Sequence, residues 1–422
     1  MAEVALLGSA TRLARRYRHI NWAFADQAMV SGSNVFTGIL LARFLGIDGF
    51  GSFSLAWAVL LLVASFHLPL IVGSMMSIGP KQSEDEAPGY YGAVIIQNLA
   101  VAVAGSAIVL VSAEVGGWLA PAWDIESLAL PLSVATFATV WQEFFRRYFF
   151  TRGQPAAAFA VDAMRYAGQI AILLACFLFL PGLVDAAFAL WIVAATAGVS
   201  AAVSLPLLRD IAYRGDVMRT VAVRHYRASK WMVMSNPIEW ASENIFMFAT
   251  GAFLGTTAVG ALRASQNVAA MTNLLFLSLM NVVPVRAARH LHEGGPAAMS
   301  RYLRRVTLTG GLATVAMCLI FAVAPEFWLR LLFGEEFAHY GELVRWWALY
   351  YAISFFSLPL RSGLRAKEET RPIFTSRLLG GCFALAFAGS LIPWLGISGA
   401  VIGALATKTI ATLRLWQLYN RD

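Results

Sequence analysis

The chain has 422 residues, of which 59% are hydrophobic and only 13% are charged. Soluble domains carry about 25% charged residues, so this composition excludes a water-soluble globular protein and favours a polytopic membrane protein. The formal net charge of +8 does not indicate nucleic acid, because the basic residues lie in short loops beside apolar segments.

Twelve apolar segments follow one another along the chain, and each is long enough to cross a hydrocarbon core of about 30 Å as a helix. We predict transmembrane helices at 20–45, 50–78, 91–112, 127–150, 154–180 and 184–208, and then at 229–254, 258–285, 303–323, 341–362, 373–393 and 396–418. The predicted fold class is therefore an all-α polytopic membrane protein.

Basic residues fall on alternate connections between these segments. They occupy the N-terminus, Lys81, the loop 146–152, the stretch 209–230, the loops 286–305 and 361–377, and the C-terminus, whereas the intervening connections are mostly acidic. Positively charged loops are retained in the cytoplasm. The alternation thus predicts that both termini are cytoplasmic.

The motif Phe-Leu-Gly, followed by a glycine five residues later, recurs at close to half the chain length. Residues 44–51 read FLGIDGFG and residues 253–260 read FLGTTAVG, an offset of 209 residues. Each copy ends the first helix of a six-helix half, so we predict two parallel repeats related by a pseudo-two-fold axis along the membrane normal, with a site between them. The predicted domains are 1–208 and 229–422, joined by a cytoplasmic linker at 209–228.

Several short motifs carry a family resemblance along nearly the whole chain. They are Asn34, Gly38, Leu41-Ala42-Arg43, Leu45-Gly46 and Phe50-Gly51, then Gln142-Glu143 with Arg146-Arg147, Leu332-Phe333-Gly334-Glu335, and Gly396, Gly399 and Gly403. In these residues the chain resembles bacterial polysaccharide transporters, the O-antigen and exopolysaccharide flippases of the multidrug/oligosaccharidyl-lipid/polysaccharide (MOP) exporter superfamily.

The resemblance implies a MATE-like, alternating-access flippase for undecaprenyl-pyrophosphate-linked oligosaccharides in the bacterial inner (plasma) membrane. The implied partners are the lipid-linked oligosaccharide, membrane lipids, and a polysaccharide polymerase with chain-length proteins. No nucleic acid and no cofactor are expected, apart from a proton or sodium as coupling ion.

Polar residues inside the apolar segments are the candidate substrate ligands. A charge at mid-bilayer costs about 2.5–3.5 kcal/mol on insertion scales, so it usually faces a cavity or a partner. The candidates for binding the phosphate or sugar are Arg165, Arg263, Lys408, Gln169, Asn267 and Asn34. The alternatives are an ion pair of Arg165 with Asp162 on the same helix face, and extension of Arg263 and Lys408 to the membrane interfaces.

Three carboxylates are the candidates for ion coupling. Asp26 lies in the first predicted helix, and Glu239 and Glu243 lie one turn apart in the seventh, just after Asn236-Pro237. Neighbouring carboxylates in a low dielectric repel each other and can bind a proton or a cation. The alternative is that they pair with nearby arginines, Arg146 and Arg147 included.

Other residue patterns exclude or disfavour further chemistry. Cys176, Cys318 and Cys382 fall inside apolar segments and are interpreted as packing residues, and we predict neither a metal site nor catalytic residues. Trp346 and Trp347 are interpreted as membrane-interface anchors. The outward loops are too short for a catalytic domain, so a transporter is expected. The competing functions are a cation-coupled multidrug antiporter and, less favoured, a membrane oligosaccharide polymerase or ligase.

Overall fold

The computed structural model describes residues 2–119, 125–180, 182, 184–209, 211–367, 369 and 371–420. Side chains are described for these residues except 2–21, 23–24, 118–119, 273–278 and 280–281. Within the described chain all regular secondary structure is helical. The all-α prediction is therefore confirmed.

The described residues of the first half form six α-helices. They are α1 (Ala2–His67), α2 (Ser74–Ile78), α3 (Ala87–Leu119), α4 (Ile125–Thr151), α5 (Pro155–Phe179) and α6 (Ala186–Ser204). A π-helical segment, Leu68–Gly73, joins α1 to α2. Proline at the first position of α5 suits a helix start, because that position needs no intrahelical hydrogen bond from its nitrogen.

The second half forms seven α-helices in the described residues. They are α7 (Gly215–Leu254), α8 (Thr256–Ala270), α9 (Asn273–Val323), α10 (Pro325–Leu332), α11 (Gly341–Ala366), α12 (Arg371–Leu395) and α13 (Ile397–Tyr419). A 3₁₀ segment, Glu335–Tyr340, lies between α10 and α11. The backbone of α9 is interrupted at Gly295, where φ is +70°.

Each predicted transmembrane segment falls on helix. The first two lie in α1 on either side of Gly46, with the second continuing through α2, and the eighth is shared by α8 and the start of α9. Judged by length and apolarity alone, seven helical stretches of the described chain can cross a membrane, with Ala25–Lys81 counted as one. The remaining predicted segments lie on helices that are shorter or more polar.

The chain divides into two compact units. Unit 1 comprises Met1–Phe44 and Ala56–Asn236, and unit 2 comprises Leu45–Leu55 and Pro237–Asp422. The domain boundaries predicted from the sequence remain a prediction. The core of unit 1 contains fully buried aromatic side chains from α3 and α4, which are Tyr91, Phe144, Phe145, Tyr148 and Phe149.

The first glycine of the repeated motif has a positive φ in both copies. Gly46 and its repeat equivalent Gly255 have φ values of +66° and +82°. Side chains with a Cβ rarely adopt this left-handed region, so glycine is required at both places. The repeat in the sequence thus marks a repeated break in the helix.

Within unit 2, the two copies also pack on each other reciprocally. A Cβ added at Gly51 would lie 1.9 Å from the carbonyl oxygen of Thr256, and one added at Gly260 would lie 1.9 Å from that of Ile47. The offset of 209 residues relates Gly51 to Gly260 and Ile47 to Thr256. The same contact is therefore made twice, as in a two-fold symmetric interface. We call this contact the glycine joint.

Candidate functional site

A cavity of about 500 Å³ lies within unit 2, between α7, α8, α11, α12 and α13. Its charged lining residues are Glu239, Glu243, Arg361, Arg377 and Lys408. Its other polar and aromatic lining residues are Ser242, Gln266, Trp347, Tyr350, Tyr351, Ser354, Ser357, Ser376, Thr407 and Thr412. The cavity thus combines three cations, two carboxylates, hydroxyl groups and aromatic rings.

One ion pair in the cavity wall joins α12 to α7. Arg377 Nη2 lies 2.8 Å from Glu239 Oε1, and the two side chains are 30% and 34% exposed. Because water screens exposed ion pairs, such a pair contributes only about 0–1 kcal/mol to the free energy of folding. Another anion can therefore compete with Glu239 for Arg377. Glu243, one turn further along α7, also lines the cavity.

The other two cations contact neutral groups. Arg361 donates to Ser357 of its own helix, from Nη2 to Oγ at 3.0 Å and from Nε to the backbone oxygen at 3.3 Å. The Nζ atom of Lys408 lies 5.8 Å from the ring centroid of Tyr350, a cation–π contact. Because a guanidinium has five N–H donors and an ammonium three, both groups keep donors for a ligand.

Aromatic rings form one side of the cavity. The rings of Trp347 and Tyr350 lie 5.2 Å apart at 80°, and those of Tyr350 and Tyr351 lie 5.2 Å apart at 90°. Trp347 is only 5% exposed, so the prediction that it is an interface anchor is wrong. Its Nε1–H and the hydroxyl of Thr412 have no hydrogen-bond partner in the described part of the chain. A buried indole N–H normally has a partner, so this N–H is an unusual feature of the cavity wall.

A second group of charged residues is buried within unit 1. Arg146 of α4 lies 2.6 Å from Asp26 of α1 and 2.5 Å from Asp162 of α5, with Glu143 at 3.4 Å. Asp26 and Asp162 are 1% and 0% exposed. A buried guanidinium between two buried carboxylates ties three helices together, since removing one partner leaves an uncompensated charge. We call these residues the Arg146 cluster.

The Arg146 cluster bears on two alternatives that the sequence left open. Asp26 pairs with Arg146, as the alternative to ion coupling predicted. The intrahelical ion pair between Asp162 and Arg165 is wrong for the described residues, because Asp162 pairs with Arg146 and accepts a hydrogen bond from Gln142 at 2.5 Å. Arg165 donates instead to Gln142 Oε1 and to Thr139 at 3.5 Å.

The remaining predicted ligands lie in different places. Gln169 is buried in unit 1 and donates to Thr37 at 3.2 Å. Arg263 donates to Gln266, a cavity residue, at 2.8 Å. Asn267 is half-buried on α8, and Asn34 is exposed on α1. Of the predicted site residues, the cavity brings together Glu239, Glu243 and Lys408. Substrate and ion-coupling roles remain predictions for all of them.

Sequence reasoning missed Arg361 and Arg377 as cavity residues. Both were counted among the basic residues of a cytoplasmic connection, although they lie near the ends of the predicted helices 341–362 and 373–393. In the structure they line the cavity from α11 and α12. A signal was present, because Ser354, Ser357 and Arg361 have the spacing of i, i+3 and i+7 and share one helix face.

Metal-ligating side chains do not cluster in the described residues, where no group of three or more His, Cys, Asp and Glu could hold an ion. Cys176 and Cys318 are buried, as predicted for packing residues. Cys382 is exposed, so that interpretation is wrong for it.

The comparisons with known proteins agree on the fold. The family model described as MatE matches residues 232–388, a stretch that holds both carboxylates and both arginines of the cavity. No curated protein matches the chain in sequence.

Solved structures match over nearly the whole chain. An inward-facing multidrug resistance MATE family transporter of the MOP superfamily is 13% identical, covers 94% of this chain and 94% of its own, and has a TM-score of 0.75. An outward-facing form of such a transporter is 12% identical, with coverages of 94% and 92% and a TM-score of 0.66.

A third match is a MOP superfamily transporter from Pyrococcus furiosus, whose binding pocket of reverse polarity is described as suggesting a different function. It is 12% identical, with coverages of 94% and 92% and a TM-score of 0.65. The chain therefore has the fold of MATE transporters, as predicted.

Proposed function

We propose that the protein is a multi-pass membrane transporter that flips a pyrophosphate-linked oligosaccharide lipid by alternating access. The observation that carries the proposal is the unit 2 cavity, in which Arg361, Arg377 and Lys408 outnumber Glu239 and Glu243. Cations favour a phosphate-bearing headgroup, and aromatic rings and hydroxyls suit the attached sugars.

The physical problem is the hydration of the headgroup. A pyrophosphate with sugars cannot enter hydrocarbon unassisted, because its polar groups would lose their hydrogen bonds to water. A polar cavity replaces those bonds while the prenyl tail remains in lipid. With the interior negative, outward movement of two negative charges is favoured by about 4.6 kcal/mol at 100 mV, at about 2.3 kcal/mol per charge. A coupling ion is therefore not thermodynamically required for a dianionic headgroup.

A second candidate function is a cation-coupled multidrug antiporter. Two observations favour it: Glu239 and Glu243 both line the cavity, and the inward-facing and outward-facing structures described above belong to multidrug resistance transporters. Carboxylates next to aromatic rings suit an organic cation. The two functions differ in the sign of the charge that the cavity must hold.

Transport in proteoliposomes separates the two functions. One set of vesicles contains a fluorescent prenyl-pyrophosphate oligosaccharide, and a second set is given a lipophilic cationic dye with an imposed proton or sodium gradient. We expect protein-dependent flipping of the pyrophosphate lipid and no gradient-driven movement of the dye. The opposite pattern supports the antiporter and contradicts the flippase.

Paired variants test whether the cavity carries the transport. Arg361→Gln removes a cation of the cavity, whereas Arg365→Gln removes an exposed cation one turn further along α11 that does not line it. A charge-assisted hydrogen bond contributes about 1.5–3 kcal/mol, so we expect flipping to fall at least about ten-fold in the first variant. Flipping should change little in the second, and equal rates in both would remove the cavity from the mechanism.

A further inference from the structure

The ion pair at the cavity wall has the geometry of an internal counter-ion. We propose that Glu239 occupies the place on Arg377 that a phosphate group takes on binding, so that substrate entry exchanges a carboxylate for a phosphate. The inference rests on the proposed function for the identity of the anion. The ligand chemistry is a pyrophosphate group, either on a lipid headgroup or free in solution.

The pair is positioned for exchange. Its two members come from different helices, α12 and α7, and their side chains remain 30% and 34% exposed at a separation of 2.8 Å. An ion pair in this setting contributes little, because water competes for both charges. A dianion that contacts several cations at once can therefore displace a single carboxylate.

The rest of the cavity supplies the other contacts of an anion site. Among the described residues, neither Arg361 nor Lys408 has a carboxylate within the 4.0 Å ion-pair distance, and Arg361 is bound through Ser357 of its own helix. Trp347 Nε1, on a side chain only 5% exposed, is an unpartnered donor on the same cavity. With Arg377 released, all three cations of the cavity could contact one anion.

Glu243 is the comparison residue for Glu239, because it lines the same cavity without the ion pair to Arg377. Both carboxylates lie on α7 and both line the cavity, but the ion pair to Arg377 is made by Glu239. If Glu239 acts only through its overall charge, neutralising either carboxylate should have a similar effect on anion binding. If it acts by occupying Arg377, the effect should be larger for Glu239 and should need Arg377. The matched pair of variants therefore separates exchange from general electrostatics.

Calorimetric binding to the full-length protein in nanodiscs provides the test, with inorganic pyrophosphate as the first probe and a prenyl-pyrophosphate lipid as the second. We expect Glu239→Gln to bind pyrophosphate about five-fold more tightly than the natural protein, which corresponds to about 1 kcal/mol. Glu243→Gln also removes a carboxylate from the cavity, so it should tighten binding as well, but less than Glu239→Gln does. Glu239→Ala serves as a second variant, and equal melting temperatures show that each variant is folded.

A double-variant cycle completes the test. In a background of Arg377→Gln, the substitution Glu239→Gln should no longer tighten binding. Exchange is overturned if Glu239→Gln binds no more tightly, if its effect persists without Arg377, or if Glu243→Gln matches it. If Glu239→Gln tightens the binding of inorganic pyrophosphate but not that of the prenyl-pyrophosphate lipid, the result supports exchange and contradicts the flippase. If the affinity for the lipid falls in Arg361→Gln but is unchanged in Glu239→Gln, the result supports the flippase and overturns exchange.

Discussion

Removal of Arg146 is the perturbation with the largest expected effect on stability. Its guanidinium lies 2.6 Å from Asp26 and 2.5 Å from Asp162, and both carboxylates are at most 1% exposed. Arg146→Gln leaves them without their cation in a site that water does not reach. Gln142 still donates to Asp162, so that carboxylate keeps one hydrogen bond.

The neighbouring residue provides a matched control. Arg147 pairs with Glu143 at 2.6 Å, but their side chains are 32% and 21% exposed. Breaking a buried pair costs about 3–5 kcal/mol, whereas a solvated pair contributes about 0–1 kcal/mol. At about 2–4 °C per kcal/mol, Arg146→Gln should lower the melting temperature of unit 1 by about 6–20 °C and Arg147→Gln by at most about 4 °C.

A cysteine-reactive dye can report on unit 1 alone. Cys176 is buried in α5, and the chain has only three cysteines, so the double variant Cys318→Ser, Cys382→Ser leaves it as the single reporter. Heating in detergent should expose Cys176 at a much lower temperature in Arg146→Gln than in Arg147→Gln. If the two variants melt within about 2 °C of each other, the buried ion pairs do not hold the helices of unit 1 together.

Three smaller perturbations follow. Gly260→Ala places a Cβ 1.9 Å from a backbone oxygen and should cost about 1–3 kcal/mol of stability. The control Gly389→Ala meets no atom within 4 Å and should leave the melting temperature unchanged or raise it. Equal melting temperatures of the two variants would contradict the tight glycine joint. Burial lowers the pKa of His225 to about 4, with a smaller contribution from Arg224, so the unfolded chain binds more protons between about pH 4 and 6.5. The melting temperature should therefore fall as the pH drops from 7 to 5, and a variant His225→Gln that keeps the same slope would refute this. Trp347→Phe keeps an aromatic ring but removes the unpartnered N–H, so it should weaken the binding of the oligosaccharide lipid about five-fold at an unchanged melting temperature. If the variant binds the lipid as tightly as the natural protein, the N–H does not contact the ligand.

The helices were predictable because their signal is local. Long apolar segments locate them, and the repeated glycines mark the breaks after the first and seventh predicted helices. The reciprocal packing of Gly51 and Gly260 was not predictable, because it depends on how two segments 209 residues apart in sequence meet. A periodicity places a residue on a helix face and does not identify the neighbouring helix.

The candidate site was only partly predictable for the same reason. Glu239 and Lys408 were found because a charge inside an apolar segment needs an explanation. Arg361 and Arg377 were missed because the positive-inside rule already explained them. Arg165 was expected to face a ligand, but its guanidinium contacts Gln142 and Thr139 of α4. The sequence of α5 alone does not show that α4 packs beside it.

An experimental structure of the protein with a prenyl-pyrophosphate oligosaccharide bound tests the proposed site most directly. We predict density for the pyrophosphate in the unit 2 cavity, within hydrogen-bond distance of Arg361, Arg377 and Lys408, with Glu239 displaced from Arg377. A headgroup bound outside this cavity, with the pair of Arg377 and Glu239 intact, would contradict the assignment of the site.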